Sequence, residues 1–141
     1  MPPLRTSTLP TSTLRKSAGR TNRQGLLAGK QILIVEDSFL LGLDLSRFVE
    51  SLGCVRRGPF SSTREALACL RQQDIDGAII DFDLQETSAA VAAELVAQGI
   101  PFVVVSSYEH DFLPAHLRKE DYIGKPISRT SLAEIARARF G

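Results

Sequence analysis

Residues 78–84 read Ala78-Ile79-Ile80-Asp81-Phe82-Asp83-Leu84, an apolar run that ends in two closely spaced carboxylates. Short apolar runs bounded by polar residues are typical of strands buried in a parallel sheet. On either side of it, four more candidate strands lie at residues 31–35, 54–59, 102–105 and 121–124. The segment 54–59 is the weakest of them. The chain therefore contains five candidate strands.

Apolar residues recur at helical spacing between these strands. The predicted helices cover residues 41–52, 62–72, 88–98 and, from Ser128 or Ser131, the C-terminal stretch to Phe140. Ser62 and Glu65 form a capping box that predicts the start of the second helix. The interval 106–125 is polar and contains Pro114, so we expect its helix to be short or mobile. Alternating strands and helices predict an α/β protein with a five-stranded parallel sheet, doubly wound and covered on both faces.

Length and charge divide the chain into a tail and one domain. The 141 residues are 43% hydrophobic, which is enough for one core and argues against two full domains. Residues 1–28 are rich in Ser, Thr, Pro and Arg and show no hydrophobic period, so we predict a disordered basic tail there and a folded domain over 29–141. The net charge of +1 indicates no particular partner.

The two cysteines and the apolar runs bear on the cellular compartment. Cys54 and Cys69 form no CxxC pair and resemble neither a disulfide framework nor a zinc site, so we expect both to be reduced core thiols. The longest apolar runs, such as 100–105, are far shorter than the roughly 18 residues of a membrane span. We therefore expect a cytoplasmic protein.

Reactive side chains are expected to gather at one edge of the sheet, because ligands of doubly wound sheets bind at the carboxyl ends of the strands. The polar residues that follow the strands are Glu36, Asp37, Asp81, Asp83, Ser106 and Lys125. Carboxylates packed together repel one another unless a cation neutralises them, and Mg²⁺ is the best candidate. A hydroxyl and an ammonium group opposite a metal can bind phosphoryl oxygens. The set therefore predicts phosphoryl transfer to a carboxylate, with Asp81 as the nucleophile.

Four segments together resemble a known family. They are residues 34–37 (Ile-Val-Glu-Asp), 79–84 (Ile-Ile-Asp-Phe-Asp-Leu), 101–106 (Pro-Phe-Val-Val-Val-Ser) and 122–126 (Tyr-Ile-Gly-Lys-Pro). Their order and spacing over residues 31–140 resemble the receiver domain of two-component response regulators, and most of all the bacterial single-domain regulators. The resemblance implies a flavodoxin-like (βα)5 receiver fold.

The resemblance also implies a set of metal ligands. Asp81 matches the aspartate that receivers phosphorylate, and Glu36 and Asp37 match the acidic pair that holds Mg²⁺. Asp81 and the backbone carbonyl of Asp83 would complete the ligands that the protein contributes. The implied cofactor is therefore Mg²⁺.

Three further residues match the groups that act on the phosphoryl group. Ser106 and Lys125 match the hydroxyl and the lysine that contact it. Tyr122 matches the aromatic switch residue, although packing at the sheet edge explains it equally well. The Lys125-Pro126 peptide is expected to be cis, as it is in the family.

Two positions depart from the family pattern. Asp83 stands where receivers more often carry a neutral residue, and its carboxylate can repel a phosphoryl group or reposition an attacking water. Ser107 occupies a site usually given to a small residue that leaves the aspartate accessible, and serine is small enough to serve. The lifetime of the phosphoryl group is the property most affected by Asp83.

The resemblance implies a single-domain response regulator in a phosphorelay. Asp81 would take a phosphoryl group from a sensor histidine kinase or a histidine phosphotransfer protein. The chain would then bind an unknown downstream protein or act as a phosphate sink. It would be a phosphoacceptor that takes part in its own phosphorylation and dephosphorylation, not an enzyme with a separate substrate.

Three other functions compete with this interpretation. One is a phosphorylation-independent receiver-like interaction module with a vestigial acidic pocket. Another is a small phosphohydrolase in which Asp83 serves as the acid/base for Asp81; the chain lacks a cap domain for such a substrate. DNA binding has only the basic tail to support it, with no recognisable helix-turn-helix, and we expect neither a nucleic-acid nor a membrane partner.

Overall fold

A computed structural model describes residues 27–84, 86–107 and 122–141. Its elements in chain order are β1 (Gln31–Val35), α1 (Phe39–Ser51), β2 (Val55–Phe60), α2 (Thr63–Gln72), β3 (Gly77–Asp81), α3 (Glu86–Gln98), β4 (Phe102–Ser106), β5 (Tyr122–Gly124) and α4 (Arg129–Phe140). A short 3-10 turn, Phe82–Leu84, joins β3 to α3. The five predicted strands are all present. The predicted fourth helix, with Pro114, falls on residues outside the described ranges.

The five strands form one parallel sheet in the order β2-β1-β3-β4-β5. The chain runs from β1 outward to β2, returns to β3 on the other side of β1, and continues to β4 and β5. The strand order therefore reverses between β1 and β3, where doubly wound sheets bind their ligands. The predicted α/β fold is confirmed.

Alternate residues of the strands build two separate cores. Ile32 and Ile34 of β1 pack with α1 and α4, whereas Leu33 and Val35 pack with α2 and α3 on the opposite face. These four side chains have no exposed surface. A strand buried on both faces must be apolar throughout, so polar side chains are left to its carboxyl end.

Serine side chains begin three of the helices and fix where the loops end. Ser38, Ser62 and Ser128 each accept a hydrogen bond from the backbone N–H three residues later, at 3.2 Å. Ser62 was predicted as a cap, and Ser128, not Ser131, starts the last helix. The third helix begins at Glu86, two residues before the predicted start.

The N-terminal boundary and the cysteines can be compared with the sequence predictions. Leu27, placed in the predicted tail, is 1% exposed and packs in the core against α1 and α4, so packing begins before residue 29. The rest of the predicted tail lies outside the described residues.

Cys54 and Cys69 are both free and buried, as expected. Burial raises the pKa of the Cys54 thiol to about 11 and raises that of Cys69 as well.

None of the helices in the described ranges is long and apolar enough to cross a membrane.

Candidate functional site at the carboxyl edge of the sheet

Three carboxylates meet where the strand order reverses. Glu36 and Asp37 follow β1, and Asp81 is the last residue of β3. One oxygen of each lies within 4.8 Å of the others. Glu36 and Asp81 are each only 3% exposed, whereas Asp37 is exposed. The sheet therefore presents two buried carboxyl groups and one that reaches solvent.

Glu36 is held in an unfavourable environment for an anion. Its Oε2 accepts a hydrogen bond from the Ser38 N–H at 3.0 Å, but its buried Oε1 has no hydrogen-bond partner among the described residues. Burial raises the pKa of Glu36 to about 7, and the nearby Asp81 carboxylate acts in the same direction. A buried acceptor without a donor is costly unless something positive satisfies it.

The three carboxylates fit a hard divalent cation. Such ions prefer several oxygen ligands, and Mg²⁺ is usually bound by one or two carboxylates with water completing its shell. Oε1 of Glu36, which no donor among the residues described here reaches, and the exposed carboxylate of Asp37 offer both a protein ligand and a route for water. The backbone carbonyl of Asp83 remains a prediction as a further ligand.

Lys125 lies on the other side of Asp81. Its Nζ is 3.2 Å from Oδ1 of Asp81, and it follows β5 directly. The same Oδ1 accepts a hydrogen bond from the Asp83 N–H at 2.9 Å. The peptide between Lys125 and Pro126 is cis, as expected from the resemblance. Asp81 therefore sits between a cation and two further carboxylates.

The Asp83 carboxylate makes contacts that the sequence did not predict. Its Oδ1 accepts from the Ser106 hydroxyl at 2.8 Å and from the Ser107 N–H at 3.1 Å. Its Oδ2 accepts from the Ser107 hydroxyl at 2.9 Å and from Lys125 Nζ at 3.1 Å. Both oxygens are therefore well supplied with donors.

These contacts shift the pKa values of both charged partners. Burial alone would raise the pKa of Asp83, but the hydrogen bonds from Ser106, Lys125 and Ser107 outweigh it and hold that pKa below its usual value. Burial alone would lower the pKa of Lys125, but Asp83, Asp81 and Glu36 raise it above its usual value. Asp83 and Lys125 are therefore both charged at neutral pH.

From the sequence, the Asp83 backbone carbonyl was expected to bind a metal and its carboxylate to repel a phosphoryl group or reposition a water. Ser107 was given only a steric role. The structure shows that both side chains take part in the hydrogen-bond network of the site. The spacing offered one signal: Asp83 lies two residues beyond Asp81, and Asp81 pairs with Val105 at the end of β4, directly before Ser106. Adjacent parallel strands thus bring the two polar ends together.

Tyr122 begins β5 and is partly buried on the face of the sheet that packs against α2 and α3. That position is compatible with a packing role at the sheet edge and with a switch role. Both interpretations of Tyr122 therefore stay predictions.

A groove of about 500 Å³ opens beside Glu36, between α1 and the end of β2. Phe39 lines it and is 80% exposed; its neighbour Leu40 is 75% exposed. Arg47 and Arg56 also line the groove. Glu50 lines the groove as well and lies 3.2 Å from Arg56, so a surface with apolar side chains and charges of both signs adjoins the acidic cluster.

Comparisons with known proteins identify the family. No protein-family profile matches the chain, and no curated protein does. Among solved structures, SdrG from Sphingomonas melonis Fr1 is 33% identical with a TM-score of 0.69, covering 80% of this chain and 98% of its own. The BeF3-activated conformation of SdrG from Pseudomonas melonis Fr1 is 34% identical with a TM-score of 0.66, covering 79% of this chain and 97% of its own. This chain belongs to the family of response-regulator receiver domains.

A more distant structure shares the fold. The response regulator PhyR from Brucella abortus is 21% identical with a TM-score of 0.71 over 84% of this chain. This chain spans half the length of that PhyR chain. The likeness therefore concerns the receiver fold and not the whole of PhyR.

Proposed function

We propose that this chain is a phosphoacceptor switch in which Asp81 receives a phosphoryl group in an Mg²⁺-dependent reaction. The observation that carries the proposal is the position of Asp81: it is buried, with Lys125 Nζ at 3.2 Å and with Glu36 and Asp37 close by. A nucleophilic carboxylate needs a cation to neutralise the charge of the incoming phosphoryl oxygens. It also needs a fixed position relative to the phosphorus atom that it attacks. Membership of the receiver family supports the same conclusion.

The phosphoryl donor is a phosphohistidine on a histidine kinase or a histidine phosphotransfer protein. A carboxylate oxygen of Asp81 attacks phosphorus, the P–N bond breaks, and its electron pair stays on the imidazole nitrogen, which takes up a proton. The product is an acyl phosphate on Asp81. When bound by Glu36, Asp37 and Asp81, Mg²⁺ supplies positive charge to the transferring phosphoryl oxygens.

Residues on β4 and β5 bind the group after transfer. Lys125 provides a charged donor, and the Ser106 hydroxyl provides a neutral one. Movement of Ser106, with Tyr122 as the second switch residue, alters a surface that a partner protein reads. The chain is thus a protein that is modified, not an enzyme with a separate substrate.

The groove beside α1 provides a contact surface for a partner. Phe39 and Leu40 are exposed and apolar, and such side chains at the rim of a polar site favour protein contacts. A kinase or phosphotransfer protein seated there would present its phosphohistidine to the adjacent carboxylates. The downstream partner is a protein that binds the phosphorylated form, or the chain drains phosphoryl groups as a sink.

The test is intact-mass measurement after incubation with Mg²⁺ and a small acyl or amide phosphodonor. The parent should gain one adduct of about 80 Da, as expected for a phosphoryl group. Asp81→Asn should gain none, and omission of Mg²⁺ should abolish the adduct in the parent. Asp74→Asn, which changes an exposed carboxylate before β3, is the matched control and should be labelled like the parent. Equal labelling of Asp81→Asn would overturn the assignment.

One observation favours the second candidate, a phosphorylation-independent interaction module. The Asp83 carboxylate accepts hydrogen bonds from Ser106, Ser107 and Lys125, the donors that a phosphoryl group on Asp81 would use. If neither a phosphodonor nor a kinase labels Asp81, and if the chain does not bind Mg²⁺, this function replaces the first.

A further inference from the structure

The Asp83 carboxylate is the most completely hydrogen-bonded acid of the site. Two serine residues and Lys125 supply donors to it, and one of these donors is a backbone N–H. Asp83 is not buried away from water, since its side chain is 24% exposed. It therefore holds these donors together at a place that solvent can reach.

The same donors are those that a phosphoryl group on Asp81 would need. Lys125 Nζ contacts Asp81 Oδ1 at 3.2 Å and Asp83 Oδ2 at 3.1 Å, so one ammonium group is shared by both acids. The Ser106 hydroxyl lies at the end of β4, beside the end of β3. A carboxylate has two anionic oxygens in a plane, and a phosphoryl group has three around phosphorus. Both groups accept hydrogen bonds from the same kinds of donor.

We propose that, in the unphosphorylated chain, the Asp83 carboxylate stands in for the phosphoryl group by occupying its donors at Ser106, Ser107 and Lys125. The inference rests on the proposed function and deepens it. Phosphorylation of Asp81 is then an exchange in which one anion displaces another. Asp83 acts as a positioning residue that holds the donors in place and competes with the group they later bind.

The exchange has a physical route. Asp83 lies in the single 3-10 turn between β3 and α3, and its side chain already has an exposed fraction. Rotation of the side chain toward solvent frees the four donor groups of Ser106, Ser107 and Lys125 without unfolding either neighbouring element. Once rotated into solvent, the Asp83 carboxylate is hydrated by water. Breaking its hydrogen bonds therefore costs little free energy when the donors have another anion to bind.

The test measures the affinity of beryllofluoride, a non-covalent analogue of a phosphoryl group, at saturating Mg²⁺. Its affinity is followed by ¹⁹F NMR titration for the parent, Asp83→Asn, Asp83→Ala and the control Asp74→Asn. Alanine removes the competitor, whereas asparagine keeps its shape and an acceptor oxygen but loses the charge. We expect binding about tenfold tighter in Asp83→Ala than in the parent. Asp83→Asn should be intermediate, and Asp74→Asn should match the parent.

The order of the variants separates occupation from charge repulsion. If the Asp83 carboxylate only repelled beryllofluoride by its charge, Asp83→Asn and Asp83→Ala would bind beryllofluoride more tightly than the parent by the same factor. That result would overturn the proposal. Equal affinity in parent and Asp83→Ala would overturn it too. Failure of every variant to bind beryllofluoride with Mg²⁺ would instead count against the proposed function itself, so the two failures are distinguishable.

An NMR signature provides a second readout that a purely structural role would not affect. In the parent, the Ser107 amide proton is hydrogen-bonded to Asp83 without ligand. In Asp83→Ala it should shift upfield in the free protein and return when beryllofluoride binds. An unchanged Ser107 amide in free Asp83→Ala would show that the carboxylate does not hold this donor in solution.

Discussion

The two halves of the site differ in how well their charges are satisfied. On the β1 side, Glu36 and Asp37 face Asp81, and the buried Oε1 of Glu36 has no donor within the described ranges. On the β4 and β5 side, every acceptor of Asp83 is met by a donor. The acidic half is incomplete without a cation, whereas the donor half is already complete within the chain. A cation can therefore bind the acidic half without displacing any group of the chain. An anion that binds the donor half must first displace the Asp83 carboxylate.

The largest effect is expected from breaking the donor half at its cation. Lys125→Ala should lower the rate of Asp81 labelling by a phosphodonor by at least about 100-fold, as for removal of a preorganised electrostatic donor. The physical reason is that Asp81 and Asp83 lose the charge that both share. The rate is measured by intact mass against time.

Arg64→Ala is the matched control, since it removes one positive charge from the exposed surface of α2. It should label at the parent rate. A Lys125→Ala protein that folds and is labelled as fast as the parent would show that Lys125 has no part in the transfer.

A smaller effect is expected from the pH dependence of the acidic half. The pKa of Glu36 is raised to about 7, chiefly by burial, so at pH 6 most of the metal-free protein carries a proton there. Mg²⁺ must displace that proton, and its affinity should be about tenfold weaker at pH 6 than at pH 8. Calorimetric titration at the two pH values measures the difference.

Glu36→Gln tests whether Glu36 is the group responsible. This variant should bind Mg²⁺ more weakly than the parent at pH 8 and should lose most of the difference between the two pH values. An equal pH dependence in both proteins would assign the proton to another group.

The smallest effect concerns the stability of the metal-free fold. A carboxyl group with a raised pKa stabilises the fold below its unfolded pKa, near 4.5, and this contribution is lost as the pH rises through about 7. At pH 8 Glu36 is ionised and buried, so Glu36→Gln should raise the free energy of unfolding by about 1 kcal/mol. Urea denaturation without metal measures it.

The gain in Glu36→Gln should be much smaller at pH 5, where Glu36 is protonated in the folded parent as well. It should disappear at pH 8 with Mg²⁺, because the cation stabilises only the parent's carboxylate. A gain of equal size at pH 5 and pH 8 would place its origin in packing, not in the charge of Glu36.

Much of the site was predictable because the buried strands of a parallel sheet have their polar residues at the carboxyl ends. Apolar strands leave polar side chains to the carboxyl ends, so Asp81, Ser106 and Lys125 could be placed at one edge from their positions in the chain alone. The helix start at Ser62 was equally predictable, since capping depends on residues only three apart. For the last helix the sequence left Ser128 and Ser131 open, and the structure selects Ser128. The boundary near Leu27 was not, because its burial depends on contacts with α1 and α4, which are distant in the sequence.

The class of fold and the set of charged groups at the strand ends follow from the amino-acid sequence alone. Periodicity and strand composition are local properties, and they suffice to put the acids, the hydroxyl and the lysine on one edge. How these groups are paired depends on the tertiary contacts. In the part of the chain that the structure describes, Glu36 is buried with an oxygen that no donor reaches, and Asp37 faces solvent. Asp83 accepts hydrogen bonds from Ser106 at the end of β4 and from Lys125 directly after β5. The reason is that the strength of an ion pair or hydrogen bond depends on distances of a few ångströms and on burial. Those quantities are set when separate strands come together, not by the order of residues within any one of them.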